Sequence, residues 1–194
     1  MKKNFVKEYL SIPNLLGYFR LILVPVYLYV YLNAETTHDY YTAAFIMLLS
    51  FLSDFIDGKI ARRFNMITEF GKILDPVADK ITQLVLALGF AFRYPVIRVL
   101  LVIFVIKEST MGIVGLYMIK HHYRMNGAHM HGKICTAVLD FSMIALLLFP
   151  DISSGVVIAI TILCIVLMII SFTLYMKMYH DVWVSQKAQR NPNN

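Results

Sequence analysis

Six apolar stretches, each about as long as a bilayer is thick, constrain this chain more than any other feature. They fall at roughly 14–33, 39–61, 70–92, 95–119, 133–149 and 153–176, and about 20 apolar residues in a helix cross a hydrocarbon core of about 30 Å. Of the 194 residues 59% are hydrophobic and only 15% charged, against about 25% charged in an average soluble domain. The expected fold is therefore an all-α integral membrane protein of six transmembrane helices. Short polar or turn-forming segments separate the spans: Asn33 to Asp39, Arg63 to Glu69, Tyr94-Pro95, His121 to Lys133, and Phe149-Pro150-Asp151 with Gly155. They leave no room for a soluble domain, so residues 1–194 read as one membrane domain. Arg20 lies inside the first apolar run, which is too long for the core of a signal peptide and is read as a span.

Lysine and arginine are distributed unequally. One set of helix ends carries Lys2, Lys3, Lys7, Lys59, Arg62, Arg63, Lys72, Lys120, Arg124, Lys133, Lys177, Lys187 and Arg190, whereas the opposite loops carry Arg93 and Arg98. By the positive-inside rule both termini and the loops 63–69 and 121–133 are expected on the cytoplasmic side of the cell membrane. Residues 1–11 are basic and amphipathic enough to lie along that interface, and 177–194 read as a cytoplasmic tail. The net charge of +6 is then a topological signal and an attraction to anionic headgroups, with no nucleic-acid partner implied.

Within these spans sits an unusual concentration of acid. Asp54 and Asp57 are three apart near the cytoplasmic end of the second span, and Asp75 and Asp79 are four apart near the start of the third. Helical spacings of three and four put side chains on one face, and the short connection makes the two helices antiparallel neighbours, so the pairs can face one another across a cytoplasm-facing cleft. A carboxylate at membrane depth costs about 2.5–3.5 kcal/mol on insertion scales. Four together need compensation, and two divalent cations, Mg²⁺ or Mn²⁺, would balance them. Gly58, Ala61 and Gly71 on the same faces let a ligand or a helix approach the backbone, Arg62 adds charge suited to phosphate, and Pro76 should bend the third helix beside Asp75. A cation channel or transporter with an acidic pathway is the competing reading. It accounts for the acids but not for the small residues and arginine beside them.

Asp54, Asp57, Gly58, Ala61, Arg62, Gly71, Asp75 and Asp79 match the D-x-x-D-G-x-x-A-R-x8-G-x-x-x-D-x-x-x-D signature, and here the chain resembles the CDP-alcohol phosphotransferase family. Ile12-Pro13-Asn14-Leu15-Leu16, Arg20, Pro25 and Leu74 to Lys80 are similar to its phosphatidylglycerophosphate- and cardiolipin-synthesising bacterial branches. The resemblance implies a homodimeric membrane enzyme that transfers a phosphatidyl group from CDP-diacylglycerol to a glycerol-based acceptor with release of CMP. It implies that Asp54, Asp57, Asp75 and Asp79 hold two metals, that Asp79 is also the general base, and that Asp54, Asp57, Gly58, Ala61, Arg62 and Gly71 bind the CDP moiety. Glycerol 3-phosphate is the first expectation for the acceptor and phosphatidylglycerol the alternative. Lys107 and Lys133, with Arg20 and Lys80, are the acceptor-binding candidates. The chain departs from the glycerol-3-phosphate-using pattern in having Lys107-Glu108 for Arg-Glu and no further arginine near Gly112 to Leu116.

Other residues carry weaker signals. His121, His122, His129 and His131 share a loop, but their irregular spacing reads as a headgroup-facing segment more than a zinc site. Cys135 and Cys164 read as buried apolar residues, and Asp140, inside the fifth span, as either an interhelical partner or a substrate contact.

Overall fold

The computed structural model describes residues 8–121 and 130–190. Among them six long helices follow one another: α1 (Ile12–Leu32), α2 (Thr37–Arg63), α3 (Gly71–Arg93), α4 (Pro95–Lys120), α5 (Met130–Leu148) and α6 (Ser154–Arg190). Each coincides with an expected span to within a few residues except α6, whose helix continues past position 176. No glycine or proline interrupts the chain between Gly155 and Arg190, so nothing in the backbone stops it earlier. The leading segment through Lys7 and the cluster His122 to His129 lie outside the described residues.

Three helices, Ile12–Leu32, Pro95–Lys120 and Ser154–Ser185, are long and apolar enough to cross a membrane on length and composition alone. The chain is a membrane protein on that ground. α2 and α3 have the length, at 27 and 23 residues, but each carries two of the aspartates and several cations that dilute its apolar content.

The residues group into two compact units, Met1–Arg93 with Ala145–Ile152, and Tyr94–Ile144 with Ser153–Asn194. In the first, α1 packs along both α2 and α3. The face it buries is Asn14, Gly17, Arg20, Val24, Tyr27 and Tyr31, a 3–4 spacing that keeps one stripe inward along the helix. Pro13 opens α1 where its missing N–H is not needed. A capping box opens α2, with Asp39 N donating to Thr36 Oγ1 at 3.3 Å and Thr36 N donating to Asp39 Oδ2 at 2.9 Å. The α1–α3 approach depends on glycine: a Cβ on Gly17 would lie 3.0 Å from Leu74 Cδ2, and one on Gly89 3.1 Å from the Tyr27 hydroxyl. At the other end Phe90 meets Tyr31 edge-on at 5.4 Å between centroids.

In the second unit α4 packs on α6 around Met118, Tyr175 and Tyr179. The start of α5 runs so close to α6 that a Cβ on Gly132 would fall within 3 Å of three Tyr175 side-chain atoms, and deeper in, the Cys164 thiol donates to Ser142 Oγ at 3.4 Å. Large apolar side chains such as Ile22, Phe45, Ile113 and Leu116 point outward and are exposed, a surface suited to lipid and unsuited to water.

Gly132→Leu should therefore cost about 1–3 kcal/mol through overpacking, lowering the thermal unfolding midpoint in detergent by several degrees. Gly112→Leu, with nothing within 4 Å of its new Cβ, should leave the midpoint unchanged or higher.

Candidate active site

The connection between α2 and α3 brings the acidic faces together, and its geometry is local. α2 ends with Asn65 in the left-handed region at φ 53°, while Met66 N donates back to Ala61 O at 2.9 Å, the pattern of a helix that closes and reverses. Thr68 then accepts from Gly71 N at 2.9 Å through its hydroxyl, satisfying a donor of the first turn of α3. Asn14, buried at the start of α1, fastens this loop from the side. Its amide donates to Glu8 O at 2.8 Å and to Thr68 Oγ1 at 3.2 Å, and the Glu8 carboxylate accepts from Phe70 N at 3.1 Å.

Beneath the loop lies a cleft of about 400 Å³ lined by Asp54, Asp57, Gly58, Ala61, Arg62, Gly71 and Asp75, together with Asn14, Thr68 and Lys72 among others. Seven of the eight signature positions thus share one cavity of small-ligand size. Gly71 is the tightest of them: a Cβ there would stand 2.8 Å from Asn14 Oδ1 and 3.0 Å from Thr68 Oγ1. Arg62 keeps its Nε on Gly58 O at 2.9 Å, which fixes the base of its guanidinium at the rim.

Asp79 does not line the cleft. It is held by Arg20, whose Nη1 donates to Asp79 Oδ1 at 2.5 Å and also to Asp54 Oδ1. The same guanidinium reaches Asp57 through Nη2, 3.8 Å from Oδ2. Arg20 is 1% exposed and Asp57 4%, so a single buried cation from α1 joins carboxylates on both α2 and α3. Of the other acceptor candidates, Lys80 donates to Gln83 Oε1 at 3.2 Å on α3. Lys107 and Lys133 belong to the second unit. There Lys107 is buried and donates to Glu108 Oε1 at 2.6 Å, and Lys133 is exposed near the start of α5.

Among the described residues no group of three or more acidic, histidine or cysteine side chains converges closely enough, as they stand, to hold an ion. The donor set nonetheless fits one. All four groups are carboxylates, the ligands of hard divalent cations, and the buried Asp57 Oδ2 has no hydrogen-bond partner, which leaves an acceptor that a cation would satisfy.

A family model for CDP-alcohol phosphatidyltransferase matches residues 10–183, across both units. The chain belongs to the CDP-alcohol phosphatidyltransferase family. It is 33% identical over 138 residues to the CDP-diacylglycerol–glycerol-3-phosphate 3-phosphatidyltransferase of Aquifex aeolicus, covering 70% of this chain and 75% of that protein. It is 32% identical over 142 residues to the cardiolipin synthase (CMP-forming) of Streptomyces coelicolor, covering 72% of this chain and 66% of that one. A shorter stretch, 71 residues or 37% of this chain and 38% of the relative, is 44% identical to the Escherichia coli K12 enzyme with the same name as the Aquifex protein. The chain is thus a phosphatidyltransferase of phospholipid biosynthesis, and divalent-cation dependence is general in its family.

Asn14, Thr68 and Lys72 were not among the site residues expected from sequence. Thr68, three residues before Gly71, carries a readable capping spacing, whereas Asn14 is tied to Thr68 across 54 residues, which no local pattern reveals. Asn14→Ala should cost about 1–3 kcal/mol by stranding its partners and should speed proteolytic cleavage between Phe64 and Phe70, measured in detergent by thermal unfolding and limited proteolysis. Unchanged cleavage would contradict the fastening role.

Proposed function

We propose that this chain transfers the phosphatidyl group of CDP-diacylglycerol to glycerol 3-phosphate, forming phosphatidylglycerophosphate and CMP. The observation that carries the reading is the single cleft that collects the signature residues of α2 and α3. Asp54, Asp57, Asp75 and Asp79 would hold two divalent cations, Mg²⁺ or Mn²⁺. When bound, such ions neutralise a pyrophosphate and stabilise the charge that develops on the departing CMP.

The remaining work belongs to the side chains. Gly58, Ala61 and Gly71 leave space along the helix faces for the nucleotide, and Arg62 at the rim offers its guanidinium to a phosphate oxygen. Asp79 takes the proton from the acceptor hydroxyl as the new bond forms to the lipid-side phosphorus and the bond to the CMP oxygen breaks. Support for this role is its place outside the nucleotide cleft but on the same guanidinium as Asp54. The distribution of Lys and Arg supports six spans in the cell membrane with the termini and this cleft on the cytoplasmic side. A homodimer, in keeping with the resemblance in sequence, completes the reading.

Phosphatidylglycerol is the second acceptor to consider. The similarity to the Streptomyces cardiolipin synthase, nearly equal in identity and extent to that with the Aquifex enzyme, favours it, as does the absence of a second cation between Gly112 and Leu116. Lys107 and Lys133 are the basic residues we assign to the acceptor's phosphate.

Purified protein supplied with CDP-diacylglycerol, Mg²⁺ and each acceptor separately should release CMP with glycerol 3-phosphate. Product from phosphatidylglycerol alone would select the second reading, and no CMP with either acceptor would contradict both. Removing divalent cations with EDTA should abolish turnover and added Mg²⁺ restore it. Asp79→Asn should lower kcat by about 10²–10⁴-fold, the usual range for a general base, with little change in the affinity for CMP. A variant that turns over normally would remove Asp79 from that role.

A further inference from the structure

Arg20 is held in an unusual way for a buried arginine. A guanidinium has five N–H donors, and one that serves only to join helices normally spends them on carbonyls and carboxylates around it. Here Nη1 alone makes hydrogen bonds, to Asp54 and Asp79, while Nε and Nη2 are buried without a hydrogen-bond partner and Nη2 faces Asp57 Oδ2 at 3.8 Å. Its side chain is 2% exposed, yet those of Asp54 and Asp79 are 45% and 51% exposed. The cation is therefore enclosed, is held mainly by the charge of the acids, and leaves two of those acids open to the solvent side.

We propose that Arg20 is the resident counter-cation of the acid cluster. It holds Asp54 and Asp79 together when no divalent ion is bound and competes with divalent ions for the same carboxylates, so that loading the site requires its guanidinium to yield. This rests on the reading of the four aspartates as a divalent-ion site and adds to it a residue that sets the ion affinity. The chemistry is that of like charges. Four carboxylates brought together on two helices repel one another unless a cation stands among them. The guanidinium supplies part of that charge, and its positive charge opposes an incoming Mg²⁺ or Mn²⁺ at short range. Arg20 is thus a positioning residue acting through Asp54 and Asp79, and the ion affinity is the property it tunes.

The test compares the wild-type full chain in detergent with Arg20→Met, which removes the charge, and Arg20→Lys, which keeps it. Mn²⁺ binding is read from the electron paramagnetic resonance of the free ion, and thermal unfolding is followed in EDTA and in excess Mg²⁺. Arg20→Met should bind Mn²⁺ at least about fivefold more tightly than wild type, the direction that removing a nearby like charge requires. It should unfold at lower temperature than wild type in EDTA, with the gap closing in Mg²⁺, while Arg20→Lys stays close to wild type in both measurements. Should Arg20→Met fail to fold, Arg20→Gln, which loses the charge but keeps a donor, takes its place with the same expected result. Equal or weaker Mn²⁺ binding in a folded, charge-free variant overturns the proposal. A wild-type protein that binds no Mn²⁺ overturns instead the ion-site reading beneath it.

Discussion

Mutual repulsion among Asp54, Asp57, Asp75 and Asp79 is the constraint around which the first unit is arranged. Carboxylates crowded onto neighbouring helices repel one another unless a cation stands among them, and the chain supplies one of its own. Arg20 reaches both acid-bearing helices from a third, so the position of α1 is an electrostatic requirement as much as a packing one. One guanidinium still leaves the cluster with a formal excess of negative charge. That excess is what the proposed divalent ions would balance.

The packing follows from bringing Arg20 to that place. Gly17, one turn before it, faces Leu74 of α3 so closely that a Cβ would stand 3.0 Å from its Cδ2, and Ser53, next to Asp54, donates to Leu16 O at 3.1 Å. Both contacts flank the arginine and fix its height against the acids. At the cleft's outer edge the Glu8–Asn14–Thr68 hydrogen bonds hold the reversal between α2 and α3. At the far end Tyr31 meets Phe90 of α3 and Tyr40 of α2 edge-on, and Arg93 lies over the Tyr40 ring at 4.0 Å and donates to Pro150 O at 2.7 Å. The site thus rests on helices locked above and below it, which suits a reaction that depends on preset position and charge.

Much of this was legible in the sequence because it is written locally. Apolar length gave the six helices, and the i,i+3 and i,i+4 spacing of the acids gave the face they share. The small residues at Gly58, Ala61 and Gly71 pointed to the cleft that the structure contains. Partnerships between distant segments were not legible. Arg20 could be listed among the site's basic residues and assigned to an acceptor phosphate, but its contacts with Asp54 and Asp79 span 34 and 59 residues, and no periodicity connects them. Asn14 and Thr68 were missed for the same reason. Over the tail expected from position 177 the helix continues through Arg190, because a change from apolar to polar side chains ends a span without ending a helix. The acceptor is illegible for a further reason: Lys107 and Lys133 belong to the other unit, and two relatives of nearly equal similarity differ in the reaction their names give.

The carboxylates of α2 and α3 are proposed to act together as a two-cation site. Titrating the purified protein with Mn²⁺ in the presence of CMP and recording the spin–spin coupling between bound ions tests it most directly. Two spin-coupled ions per chain are expected, with the coupling lost in Asp57→Asn. A single uncoupled ion, or none, would contradict the two-cation reading.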